Sequence, residues 1–590
     1  MRRNLWLLIV VVLLVTLGPL LILNLRQSVA PAKSMLLTDP FLQLPTSNSV
    51  RVVWFTEFAG TAHLVNYGTN LQQTAVANTT KLSRTQEDQR SLVKDQKEFN
   101  QIYKRPTPRD IWRHEAEISN LEQQRIPYRV SSQREDGQVF SSKQFTLAPT
   151  PPAGQPLKIL LTSDHQLMPM TAANLQKVAE TIPRIDAVFL AGDLQNIPDR
   201  ASEWFDDLRG GAFFPCLQGR ASYTIDKNGR RTTYKGGEII QHAPLFPATG
   251  NHEIMGRVDP NVDLDAQFNN PFPRDAAAKV YETYAPLVNP RNDPGIRREW
   301  IKNFSFNSDT FNEIFTLPTS QTGAENYYAV TFGDIRLVSL LVTNLWRTPS
   351  PGQRGRFQES QADLLNPVNW GHGQMIFEPI KKGSPQYQWL EQELRSPEFQ
   401  NAKYRIVMFH HPPHSLGGNI VPPYTDPVQL VDRNLSGQIQ SVRYEYPPEN
   451  DYIIRDVIPL LEKHRVQLVL YGHTHIWNRF IGPTGMHFLE SSNVGNTYGV
   501  YLDKQKRPMP ERTLYQYAAT GDPYGLPPVV PTIAPLLDEA GRPLPYISSN
   551  DITVFSILDT EAGTVSSYRF DTREPDSPVI KFDEFRLSKN

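Results

Sequence analysis

Val466-Gln467-Leu468-Val469-Leu470-Tyr471-Gly472-His473-Thr474-His475 is the stretch that decides the fold class of this chain. Its first half is a short apolar run rich in Val and Leu, the pattern of a strand buried on both faces of a parallel sheet. Gly472 lets the backbone turn sharply at the carboxyl end of that strand. In open α/β sheets ligands bind beyond that end, so two imidazoles placed there ask for a chemical reading.

Four runs upstream end in the same way. Leu157 to Thr162 delivers Ser163-Asp164-His165-Gln166, and Ala187 to Leu190 delivers Ala191-Gly192-Asp193. Pro244 to Ala248 leads into Thr249-Gly250-Asn251-His252-Glu253, and Tyr404 to Phe409 into His410-His411-Pro412-Pro413-His414. One Asp-His or Asn-His pair at a strand end is what caps a helix or closes a turn. Five in succession, each after an expected strand, point to one shared site. The strands alternate with helical stretches, such as that through Leu175, Val178 and Ile182, and this alternation makes the fold class α/β.

The side chains offered are carboxylates, amides and imidazoles with no thiolate, a donor set for hard and borderline divalent cations. They are too many for one tetrahedral ion and suit two ions sharing a carboxylate. Paired ions of that kind serve in-line displacement at phosphorus. A hydrolytic phosphoesterase is the expectation.

The ordered set Asp164/Gln166, Gly192-Asp193, Gly250-Asn251-His252-Glu253, His410 and Gly472-His473-Thr474-His475 resembles the calcineurin-like metallophosphoesterase superfamily. Tyr327 to Gly333, Gln386 to Leu390 and Trp477-Asn478-Arg479 are similar to its purple acid phosphatase branch, whose members carry a fibronectin-III-like domain before the catalytic part. The resemblance implies a four-layer αββα sandwich and a metal-dependent phosphoric ester hydrolase like the acid phosphatases, with two divalent ions (Fe, Mn or Zn) and metal-bound hydroxide as nucleophile. It implies Asp164 and His475 on the first ion, Asp193 bridging, and Asn251, His410 and His473 on the second. His252 would then be the proton donor to the leaving oxygen. Two positions depart from the pattern. Gln166 stands where the superfamily has His, and by alternation it should face the same side as Asp164, as a weaker amide ligand or one acting through a water. Asn196 stands where purple acid phosphatases have a tyrosine, which implies a non-purple relative. His411 and His414 flank His410 on a Pro-rich turn, and one of them, with His414 preferred, is expected to contact substrate. A phosphodiesterase or nucleotidase of the same fold, or a non-catalytic binding or adhesion protein with a relic metal site, are the alternatives.

The remaining sequence sets the frame. At 590 residues the chain is too long for one core. A formal net charge of -1 gives no global field toward nucleic acid, and a single cysteine, Cys216, allows no internal disulfide. Residues 1–32 carry Arg2-Arg3 and an apolar run from Leu5 to Leu23. They read as a membrane anchor that leaves the rest of the chain outside, with cleavage at Ser28-Val29-Ala30 the alternative. Residues 33–150 read as a small β-sandwich through Val50 to Phe55, Ala62 to Gly68, Glu115 to Ile118, Tyr128 to Val130 and Gln144 to Leu147. A charge-dense insertion from about Ser83 to Arg109 reads as a solvated loop or helix, and His63 and His114 as structural. Residues 151–590 read, by the resemblance, as the metallophosphoesterase part. Long Pro/Asn/Asp-rich stretches after Glu253 and after Trp346 read as loops walling the pocket, and Ile552 to Leu558 with Gly563 to Phe570 as a closing hairpin. The expected partner is a phosphorylated small molecule or polymer; oligomeric state is open.

Overall fold

The computed structural model describes residues 36–96, 101–257, 259–319, 326–345, 375–419, 423–426, 428–502, 506 and 518–587. The expected membrane segment at 1–32 lies outside the described residues, as do residues 346–374 of the stretch after Trp346. Among those described, no helix is long and apolar enough to cross a membrane.

Two sheets build the larger part. In the first, Leu245–Pro247, Ala187–Leu190 and Lys158–Thr162 run parallel, and Ile552–Asp559, Thr564–Asp571 and Ile580–Arg586 continue antiparallel beside them. In the second, the spatial order is Tyr328–Phe332, Ile335–Ser339, Tyr404–Met408, Leu468–Tyr471, His487–Ser491, Trp477–Ile481 and Tyr546–Ile547. Both faces of each sheet are apolar, which explains the uninterrupted runs in the sequence. Ile159, Leu161 and Phe189 point inward to meet Leu337, Ile406 and Leu468 of the other sheet. Leu160 and Val188 point outward onto Ala172, Leu175 and Val178 of helix Thr171–Thr181. Val338, Val407 and Val469 face out on the far side, under Trp389 and Leu390 of helix Pro385–Glu393 and Leu461 of helix Ile458–Lys463. Helix, sheet, sheet, helix is the expected layering.

Residues 41–147 form two facing sheets. Phe41–Gln43, Val50–Thr56, Trp112–Ile118 and Asn78–Lys81 make one. Val139–Ser141, Ile126–Gln133, Ala62–Tyr67 and Gln73–Val76 make the other, with Phe145–Leu147 also paired to Ile126–Gln133. This sandwich is fused to the α/β part: Phe41, Val53 and Phe55 share a core with Trp204, Phe205 and Phe214.

The insertion from Ser83 to Arg109 corrects an expectation. Residues 85–91 are not a solvated loop or helix: Thr85, Glu87, Asp88 and Ser91 are buried, whereas most of 101–108 is exposed as expected. Glu87 accepts from the Ser202 backbone N–H (2.9 Å), and Arg109 reaches Glu57, Glu87 and Asp206. Arg200 lies 3.1 Å from buried Asp88 and 2.7 Å from Glu203. The charges of the insertion match those of residues 199–207, so they leave water in pairs. The stretch after Glu253 is a second correction. It folds into helices Leu264–Phe268, Arg274–Val288, Pro294–Asn303 and Asp309–Ile314. Asp263 and Asp293 cap two of these, and Pro294 opens one at its first turn, so the Pro, Asn and Asp residues punctuate helices here.

Candidate metal centre

The carboxyl ends of the parallel strands of both sheets converge, and five site residues leave them with left-handed backbone. These are Asp164 (φ 59°), Gln166 (30°), Asp193 (57°), His473 (83°) and His475 (56°). Such conformations cost free energy in non-glycine residues and persist only where surroundings over-determine them. Here the surroundings are hydrogen bonds. The His473 N–H donates to both Asp164 oxygens (3.1 and 3.0 Å). The Glu253 carboxylate accepts from the N–H groups of Asp193 (2.9 Å), Leu194 (2.8 Å) and Gly250 (2.6 Å), which ties two strand ends together.

Asp193 sits at the middle. Its Oδ2 lies 3.0 Å from His410 Nε2 and accepts from Gln166 Nε2 at 3.0 Å, while its Oδ1 accepts from the His252 backbone N–H at 2.9 Å. His410 Nδ1 faces the Ala191 carbonyl (2.8 Å) and His473 Nδ1 lies 3.3 Å from His410 Nε2. His475 Nδ1 faces the Asn496 carbonyl (3.0 Å), and its Nε2 lies 3.4 Å from Asp164 Oδ1. A carbonyl only accepts, so in His410 and His475 the Nδ1 carries hydrogen and Nε2 points inward. His252 Nδ1 likewise donates to the Asn196 carbonyl at 2.7 Å, and its half-buried ring lies 5.1 Å from Phe268.

The structure therefore brings Asp164, Gln166, Asp193, His410, His473 and His475 together, with Asn251 and His252 on the adjoining turn Asn251–Glu253. His411 joins them, its ring 4.1 Å from that of His473. His414 does not. Its Nδ1 meets Asp522 at 3.0 Å and its ring packs on Phe480 and Phe488, so the preference for His414 over His411 as a substrate contact is corrected. Apolar rings and a buried carboxylate hold that side chain more firmly than a mobile Pro-rich turn would.

The family model for calcineurin-like phosphoesterase matches residues 157–477, more than half of the chain. The chain belongs to this family. Solved structures similar to this phosphoesterase include the purple acid phosphatase PPD1 from yellow lupin (Lupinus luteus) seeds, at 14% identity, covering 92% of this chain and 73% of that one with a TM-score of 0.49. PhoD shares 12% identity over 93% of this chain and 92% of its own, with a TM-score of 0.39. A dimetal phosphatase from Danio rerio shares 11% identity over 74% of this chain and 100% of its own, with a TM-score of 0.29. No curated protein matches the sequence.

Members of this family are metal-dependent phosphoester hydrolases, and the phosphoesterase's residues fit cations. The inward Nε2 of His475 opposes a carboxylate oxygen, acceptor against acceptor, until a proton or a cation stands between them. Among the described residues the buried Gln166 Oε1 has no hydrogen-bond partner. Asp164, Asp193 and His410 offer ligand atoms within 4.8 Å of one another, as do His410, His411 and His473. In the metal-free chain, burial opposes a charge on His410, but the Asp193 and Asp164 carboxylates outweigh it and raise His410 to about 10. A cation would take the place of that proton. Burial and the neighbouring His410 hold His411 well below the ordinary range, hence neutral.

Sequence reasoning missed Glu490. Buried in strand His487–Ser491, it accepts from the Thr474 N–H (2.9 Å) and hydroxyl (2.6 Å) and from Ser415, Ser492 and Asn478, fixing the turn that carries both histidines. A lone acid inside a buried strand was the available signal. The Asn196 carbonyl, which sets the tautomer of His252, left no signal, because backbone groups leave none. Cys216 is buried, and that burial pushes its thiol up to about 12, far from a nucleophile's range.

Proposed function

We propose that this phosphoesterase is an exported hydrolase of phosphate esters working at two divalent cations. Asp164, Gln166, Asp193 and His475 would hold one, and Asp193, Asn251, His410 and His473 the other. The observation that carries this is Asp193, buried and bonded at once from the His410, Gln166 and His252 sides. When bound, the cations supply Lewis acidity toward the phosphoryl oxygens and lower the pKa of water. The chain's own groups do the rest. His252, tied at Nδ1 to Asn196 and steadied by Phe268, presents Nε2 and, when protonated there, hands that proton to the leaving oxygen as the P–O bond breaks. The water oxygen becomes the fourth oxygen on phosphorus. Asp164 and Glu253 hold the strand ends to which these groups are fixed.

The purple acid phosphatase branch is supported by the sandwich ahead of the catalytic part, whose strand pairing suits a fibronectin-III-like topology. Its domain boundaries at 33–150 and 151–590 belong to the same reading. Anchoring outside the cytoplasm is supported by Arg2-Arg3 and the apolar run from Leu5 to Leu23.

The test is metal content by elemental analysis of the full chain, with p-nitrophenyl phosphate and bis-p-nitrophenyl phosphate assayed beside Asn251→Ala. About two metals per chain, and turnover abolished in the variant, are expected. Turnover of the diester alone would make it a phosphodiesterase. Neither metal nor turnover after reconstitution with Mn²⁺, Fe²⁺ or Zn²⁺ sinks the proposal.

A further inference from the structure

His411 follows His410 at the end of strand Tyr404–Met408, and its backbone N–H donates to the Val342 carbonyl at 3.1 Å. The residue is 1% exposed, yet among the described residues neither ring nitrogen makes a well-formed hydrogen bond, the Val342 backbone giving the imidazole only a weak electrostatic contact. A neutral imidazole carries one N–H and one lone pair, and buried polar groups of this kind are normally satisfied. Something outside the described chain is therefore called for. The ring lies over His473 with centroids 4.1 Å apart and planes inclined 30°, and 5.3 Å from His410. One nitrogen from each of the three lies within 4.8 Å of the others. Nitrogens bound at about 2.1 Å to one tetrahedral cation stand about 3.4 Å apart. His473 Nδ1 and His410 Nε2 are already at 3.3 Å, so a shift of the His411 ring by about 1 Å lets all three meet one ion.

Resting on the two-cation reading above, we propose that His411 is a third imidazole ligand of the cation held by His410 and His473. The two sites are then unequal. One has three imidazoles besides Asn251 and the shared Asp193; the other has the Gln166 amide where an imidazole would bind more strongly. Zn²⁺ prefers imidazole to amide oxygen, so the His410/His411/His473 site fills first and the Gln166 site second.

The test is a Zn²⁺ titration of the metal-stripped full chain against a chromophoric chelator. Wild type should bind in two steps at least about tenfold apart. His411→Gln should weaken the tighter step by about tenfold or more and leave the weaker step in place. A tighter step unchanged in His411→Gln overturns the proposal, and if the KM for p-nitrophenyl phosphate rises instead, the side chain serves substrate. Because the variant removes a buried ring, X-ray absorption on wild type loaded with one equivalent of Zn²⁺ gives a second readout. Three imidazoles on the ion are expected; two or fewer overturn the assignment. Wild type that binds no Zn²⁺ at all instead fails the two-cation reading, with His411 falling as its consequence.

Discussion

Gly472 and Asp164 touch: a Cβ on Gly472 would stand 2.1 Å from Asp164 Oδ2, and equally close to Ser163 Oγ. Gly472 is not among the residues with positive φ, so close approach rather than a sharp turn is what requires glycine here. Gly472→Ala must push the Asp164 carboxylate off the His473 N–H. A displacement of about 1 Å at such a site costs about 100-fold in rate. The expected outcome is kcat/KM reduced about 100-fold together with loss of bound metal, read by phosphatase assay and elemental analysis. Retained metal and near-wild-type turnover would show that the carboxylate has room to move.

Glu490 accepts hydrogen bonds from the backbone and hydroxyl of Thr474, and from Ser415, Ser492 and Asn478, all in the buried interior. Glu490→Gln replaces one acceptor oxygen by an N–H₂ facing donors. Burial pushes Glu490 up to about 7. Above that pH the lost bonds are to a charged acceptor and are worth about 1.5–3 kcal/mol each, and the remaining donors reorganise. We expect about 2–3 kcal/mol lower unfolding free energy by urea denaturation, and Zn²⁺ affinity lowered about tenfold because the His473-Thr474-His475 turn loosens. Unchanged affinity in a folded variant would confine Glu490 to stability alone.

The buried strands are legible because each is a run apolar on both faces, and the five strand ends follow them directly; their spatial order in the sheets is not. Asp164, Asp193, His410, His473 and His475 come together at those ends. What stayed hidden depends on partners distant in sequence. His414 reads like His411 along the chain, and only Asp522, Phe480 and Phe488 turn it away. The run Gln86 to Arg90 reads as solvated until Arg200 and Ser202 are placed against it. Strand Ile580–Arg586 mixes three apolar with four charged residues and breaks alternation at Asp583-Glu584, so no strand is expected there; its place is fixed by pairing with Thr564–Asp571.

Asp88 is 0% exposed and binds Arg200 Nε (3.2 Å) and Nη2 (3.1 Å) besides the Leu264 N–H (2.8 Å). Asp88→Ala leaves Arg200 with Glu203 and Asp265 as its remaining partners. The loss should fall short of the ~3–5 kcal/mol seen when a buried charge keeps no partner. We expect about 2–3 kcal/mol by urea denaturation. Calorimetry should show one unfolding transition in wild type, since the sandwich and the phosphoesterase share a core, and a separate earlier transition in the variant. A stability change below about 0.5 kcal/mol, the scale of ordinary surface substitutions, would contradict the clamp.

His114 is buried in the sandwich, with Nε2 2.8 Å from Thr56 Oγ1, Nδ1 2.9 Å from Thr79 Oγ1 and its ring stacked 3.6 Å over His63. Burial, then the neighbouring His63 and Arg113, push it from 6.5 down to about 2. Burial lowers His63 as well. The unfolded chain takes up a proton at His114 as pH falls through 6.5, whereas the folded chain does not until about 2. In that window the unfolded state binds more protons, so stability is complete above 6.5 and declines as pH drops, by up to about 1.4 kcal/mol per pH unit for this one group. Other groups titrate in the same range, so the discriminating quantity is the difference between wild type and His114→Gln. His114→Gln should be less stable than wild type near neutral pH, and that gap should close by about 1.4 kcal/mol per unit well below pH 6.5, measured by urea denaturation at several pH values. Parallel pH curves for the two proteins would mean that His114 takes a proton in the folded sandwich as easily as in the unfolded chain.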